Sequence, residues 1–176
     1  MLITKLSRTL AVLFVVVCLF VIVGAAARSN HSRLKRGQQE EARVTKKASG
    51  SFEVKLSPQT DENVGDPTVG RMSIDKQFHG DLEATSKGQM LMAGTPTEGS
   101  AGYVALERVN GKLDGRTGTF ALQHSGTMDR GSAQLSVTVV PDSGTEGLKG
   151  LSGKMTIKII DGKHLYEFEY SLTQAP

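Results

Sequence analysis

The sequence predicts an all-β domain, a closed antiparallel barrel of about eight strands, preceded by an N-terminal apolar helix and a disordered basic tether. Three observations carry this expectation. Apolar residues recur with a period of two through residues 50–173, the signature of strands with one buried face. Of the twenty glycines, all but Gly24, Gly37 and Gly50 lie beyond residue 50, a density that suits short strands joined by tight turns. Strands that are apolar on one face only must close or sandwich to bury that face and hide their edges. Consecutive hairpins favour an up-and-down barrel, which either fills with side chains or holds one small ligand.

The first segment, residues 1–27, has Lys5 and Arg8 ahead of an uncharged run, Leu10 to Val23, and then Gly24-Ala25-Ala26-Ala27. That order of charge, apolar run and small residues matches a secretory signal, with cleavage expected after Ala27. The alternative is an uncleaved anchor, since Leu10 to Ala27 at about 1.5 Å per residue just spans a bilayer core of roughly 30 Å. A cleaved signal makes the domain extracytoplasmic, periplasmic or secreted; an uncleaved one makes it single-pass and membrane-anchored. Residues 28–49 are poor in apolar side chains and rich in charge, hence the tether. Membrane contact is expected only through this N-terminal part.

Charge divides with the domains. Residues 1–50 carry nine Lys and Arg against two acids, whereas residues 51–176 carry twelve against sixteen. A mildly acidic folded part offers no basic face to a phosphate backbone, so nucleic acid is not an expected partner. Cys18, the one cysteine, lies in the apolar run, which leaves the domain without a disulfide, a catalytic thiol or a cysteine zinc site.

The domain, residues 50–173, opens with Ser51 to Leu56, where Phe52, Val54 and Leu56 share a face. Pro58 to Pro67 is a polar loop, and Val69 to Phe78 sets Met72, Ile74 and Phe78 against Arg71, Ser73, Asp75 and Gln77. His79-Gly80-Asp81 turns into Leu82 to Thr85, and Ser86-Lys87-Gly88 is read as a further turn into Gln89 to Ala93. In Gly102 to Val109, Tyr103, Ala105 and Glu107 alternate with Val104 and Leu106, and Asn110-Gly111 is the strongest short hairpin signal in the chain.

Between Gly115 and Gly131, Phe120, Leu122 and His124 form one face. Gln134 to Val140 follows, then a glycine-spaced stretch, Gly144 to Gly153, with room for one helical turn. Met155, Ile157 and Ile159 align in the next strand, and Asp161-Gly162 turns into a last strand with Tyr166, Phe168, Tyr170 and Leu172 on one face.

The runs FEVKL (52–56), GRMSIDKQFHGDL (70–82), GSAGYVALERVNGKLDGRTGTFALQHSGTM (99–128), LSVTVVPDSGTEGLKGLSGKMTI (135–157) and HLYEFEY (164–170) closely resemble the bacterial DUF3224 family. The resemblance covers nearly all of residues 48–173. It implies an allene-oxide-cyclase-like barrel, and a family to which no biochemical activity is assigned. The plant cyclase's active-site residues match no motif here, so cyclase activity is not carried over.

His124 is the first candidate for a ligand contact, because a buried imidazole is costly unless partnered. A lone histidine on an apolar face is most often a hydrogen-bonded core residue. Its candidate partners are Tyr103, Glu107, Tyr166 and Tyr170, which complete the ligand-binding set. If the Tyr103–Glu107 face points inward, Glu107 is a desolvated carboxylate with a raised pKa, fit for acid-base work; if outward, it faces water. Both faces of that strand are partly apolar, so alternation leaves the choice open. His79, His124 and His164 sit on separate segments without metal-ligand spacing, and no metal or cofactor is expected.

No nucleophile elbow, phosphate loop or dinucleotide fingerprint occurs. The favoured function, resting on the strand count and the aromatic-polar mix of Tyr103, His124, Tyr166 and Tyr170, is binding a small apolar or amphipathic molecule, with enzyme status left open and leaning against. The alternatives are a cofactor-free isomerase or cyclase using Glu107 and His124, and a structural domain that self-associates into a homo-oligomer.

Overall fold

The computed structural model describes residues 44–60 and 68–173. The segment expected to form a signal or anchor helix, most of the expected tether and residues 61–67 lie outside them. Eight strands follow in order: β1 (Lys46–Pro58), β2 (Val69–Gly80), β3 (Leu82–Gly94), β4 (Ala101–Leu113), β5 (Arg116–Asp129), β6 (Ser132–Val139), β7 (Leu151–Ile160) and β8 (Lys163–Leu172). Each pairs antiparallel with the next, and β8 returns to β1, closing the barrel. β1 starts at Lys46, inside the stretch read as tether, because Ala48 is buried opposite Phe168 and draws the strand back with it.

Three connections are two-residue turns with both residues at positive φ: Asp114-Gly115, Arg130-Gly131 and Asp161-Gly162. That is the mirror-image turn whose twist matches flanking strands. Two sequence-based turns are absent, however. Ser86-Lys87-Gly88 lies within the continuous strand β3, and Asn110-Gly111 lies within β4, whose turn comes at Asp114. Both glycines mark close approach. A Cβ on Gly88 would come within 2.6 Å of the Glu107 Cβ, and one on Gly111 within 2.5 Å of the Ala84 Cα.

Inward side chains fill one end of the barrel. Phe78, Leu82, Val109, Leu113, Phe120 and Phe168 are fully buried. Rings meet throughout, with Phe120 stacked on Phe168 at 5.9 Å and Phe78 edge-on to Tyr166 at 5.8 Å. Each such side chain contributes roughly 1.5–3 kcal/mol of burial. The connection after β6 runs back along β5, where Thr145 N–H donates to the Thr119 carbonyl at 2.9 Å. One 3-10 turn, Glu146–Leu148, then sets Leu148 into this end as a plug.

The opposite end, where β1 finishes and β8 begins, is different. Leu56, Met92, Met128, Leu135 and Ile159 hold inward register positions yet remain 37–66% exposed. The wall is also uneven. β5 and β6 share eight ladder pairs, but β6 and β7 share one, Thr138 with Lys154.

Candidate functional site

Midway along the barrel, four polar side chains from four strands meet inside. The β4 register settles the direction of Glu107: Val104 and Leu106 are more than half exposed, while Ala105, Glu107 and Val109 are buried. Lys76 and Ser86 are direct cross-strand partners on β2 and β3, and Gly88 lies opposite Glu107, leaving its carboxylate space. His124 is opposite Ala105, one diagonal step from Glu107.

Glu107 is the hub. Its Oε1 accepts from Lys76 Nζ at 2.8 Å and from His124 Nε2 at 2.9 Å, and its Oε2 accepts from Ser86 Oγ at 2.6 Å. All four residues are at most 7% exposed. Lys76 Nζ also stands over the Phe52 ring, 4.8 Å from its centroid, and over Phe78 at 5.7 Å. These rings give the buried cation an electron-rich face.

The electrostatic outcome reverses the sequence-based expectation of a raised Glu107 pKa. Burial pushes the carboxyl up, but the His124 hydrogen bond, the Lys76 charge and hydrogen bond, and the Ser86 hydroxyl together outweigh it and hold the pKa at about 2. Glu107 is thus an ionised, fully engaged acceptor, unsuited to donate a proton. A ring that donates Nε2–H to this carboxylate carries, as the neutral tautomer, its lone pair on Nδ1. Nδ1 makes no hydrogen bond among the described residues.

Tyr103 is one rung nearer the exposed end, opposite Gly126, whose missing side chain lets the tyrosine ring lie against the backbone. Burial and the nearby Glu107 charge raise its pKa. Around it a shallow open groove of about 340 Å³ runs between β3, β4 and β5, lined by Met92, Tyr103, Val104 and Gly126 among others.

Tyr166 and Tyr170 are placed elsewhere. Tyr166 Oη accepts from Leu82 N–H at 2.9 Å and donates to the His79 carbonyl at 3.2 Å. Tyr170 Oη donates to Asp114 Oδ2 at 3.3 Å, beside Lys46. Both hydroxyls tie strands together at the filled end. His79 is on the outer surface, 3.0 Å from Glu53. No three His, Cys, Asp or Glu residues among those described converge as a metal site.

Sequence reasoning missed Lys76 and Ser86. Lys76 was signalled by parity, since it falls between Ile74 and Phe78 on the apolar face of β2. Ser86 was hidden by the turn assigned to it.

An eight-stranded antiparallel barrel with a filled end, an exposed end and a buried ion-pair network between them defines the class of protein. The chain belongs to the DUF3224 family, described as proteins of unknown function, whose model matches residues 48–170. It is similar to a protein of unknown function from that family in Shewanella oneidensis MR-1, known from a crystal structure. The two are 49% identical with a TM-score of 0.70, over 75% of this chain and 100% of that one. No curated protein matches the chain.

Proposed function

We propose that the barrel is a binding module for one small apolar or amphipathic molecule. The apolar body would sit at the exposed end and the polar end would meet the network around Glu107. The observation that carries this reading is the row of inward-register apolar residues left exposed at one end, Leu56, Met92, Met128, Leu135 and Ile159. Soluble domains seldom leave such a patch without a use for it, and binding sites combine apolar walls with a few polar groups. Dense side-chain packing at the other end confines the ligand to this half of the barrel.

The test is a thermal-shift screen of lipids and amphipathic metabolites. A ligand at about 100 times its Kd adds about 2.7 kcal/mol of stability, several degrees in Tm. Met92→Trp, which fills the rim, should abolish the shift without lowering the ligand-free Tm. A screen in which no compound shifts the wild-type protein sinks the reading.

A second reading, a cofactor-free isomerase or cyclase, is favoured by the His124–Glu107 contact of 2.9 Å. In it His124 Nδ1 moves the proton and Glu107 only orients the ring. Self-association is a third reading, supported by Leu91 and Val104, which are exposed neighbours on the outer face of β3 and β4; light scattering tests it. An allene-oxide-cyclase-like architecture, and export or tethering through residues 1–27, belong to the same proposal. N-terminal sequencing of fractionated cells tests the last.

A further inference from the structure

Which polar end the barrel accepts follows from the unused atoms of the network. The Lys76 ammonium is already paired with Glu107 at 2.8 Å. A ligand carboxylate brought beside them would be a second buried anion without a countercharge, a costly arrangement. Two polar atoms beside the network make no hydrogen bond at all among the described residues. His124, 4% exposed, directs Nε2 at Glu107, so in the neutral tautomer that donates there Nδ1 is the acceptor. Tyr103, on the adjacent rung, has a hydroxyl that bonds to nothing among the described residues. Its raised pKa, caused by burial and by Glu107, keeps that hydroxyl protonated and able to donate.

One acceptor and one donor on neighbouring rungs match a single chemical group. A hydroxyl has one hydrogen to give and lone pairs to receive, whereas a carboxylate can only receive. We infer that the ligand is an uncharged hydroxyl compound, an alcohol, phenol or enol on an apolar body, whose O–H donates to His124 Nδ1 and accepts from Tyr103. This rests on the binding reading above and specifies the chemistry at the same place.

The experiment compares three probes of one shape: 2-naphthol, 2-naphthoate and 2-methylnaphthalene, titrated at neutral pH by fluorescence. The protein contains no tryptophan, so naphthalene emission is read without interference from it. 2-Naphthol should bind about ten-fold more tightly than 2-naphthoate, the worth of one or two neutral hydrogen bonds. Tyr103→Phe and His124→Leu should each remove most of that advantage while leaving 2-methylnaphthalene binding unchanged. Tyr103→Phe deletes only an unbonded hydroxyl, so it keeps the test open if His124→Leu fails to fold. 2-Naphthoate binding as tightly as 2-naphthol overturns the inference and leaves the binding reading intact, as does 2-naphthol affinity undiminished in Tyr103→Phe. If none of the three probes binds, the binding reading falls and this inference falls with it.

Discussion

Glu107 Oε1 lies 2.9 Å from His124 Nε2 at the centre of a barrel otherwise packed with aliphatic and aromatic side chains. A charged group in that position persists only because every partner is supplied. Lys76 shares the same oxygen, and Ser86 takes the other.

Removing one member therefore costs more than the bond itself. Glu107→Gln leaves Lys76 as an uncompensated buried cation and should destabilise the domain by about 3 kcal/mol. The double replacement Lys76→Met with Glu107→Leu removes both charges and should recover much of that loss. Urea denaturation of the three proteins checks it; a double variant no better than the single one contradicts the charge argument.

Acid sensitivity follows from the same carboxylate. Its folded pKa of about 2 lies below the ordinary 4.5, so its stabilisation is present above pH 4.5 and is lost as pH falls towards 2. Denaturation midpoints measured across that window should fall steeply in the wild type and less steeply in Glu107→Gln.

At the alkaline end the three tyrosines act together. Burial, chiefly, takes Tyr166 and Tyr170 to about 12, and Tyr103 is also raised above 10. Groups whose folded pKa is raised stabilise the fold below the unfolded value of 10, and that contribution disappears as pH climbs towards 12. Ultraviolet titration should show no tyrosine ionising at its ordinary pH in the folded protein, and all three doing so in denaturant.

Gly88→Ala should destabilise by about 1–3 kcal/mol, since the new methyl meets the Leu106 carbonyl and the Glu107 Cβ. Gly94→Ala, with open space around it, is the control and should be nearly silent. Thermal unfolding of both variants separates close approach from a general effect of losing glycine.

The seam between β6 and β7 should be the softest part of the wall, because a single pair joins them. Amide exchange is expected to be faster at Ser132–Val137 of β6 than through the fully paired middle of β4.

The strands were legible because Phe120, Leu122 and His124 in β5, or Tyr166, Phe168 and Tyr170 in β8, alternate without interruption. Turns were legible where Asp-Gly truly reverses the chain, as at Asp161. They were misread at Gly88 and Gly111, since a glycine that admits a neighbour looks the same in sequence as one that bends the backbone. For the candidate site, His124 and Glu107 stood out as polar residues in apolar company. Their contact did not, because it depends on the stagger of β4 against β5, and alternation gives a face but no stagger. Lys76 carried the same signal as His124 and was passed over because lysine is so seldom buried.

The pairing of β8 with β1 brings the last strand of the domain against its first. Until β8 leaves the ribosome, the nascent sheet has two bare margins, one on β1 and one on β7, each ready to recruit a stranger. A truncated chain ending before Lys163 would keep both margins permanently, so premature termination in this gene should yield aggregates and no smaller working barrel.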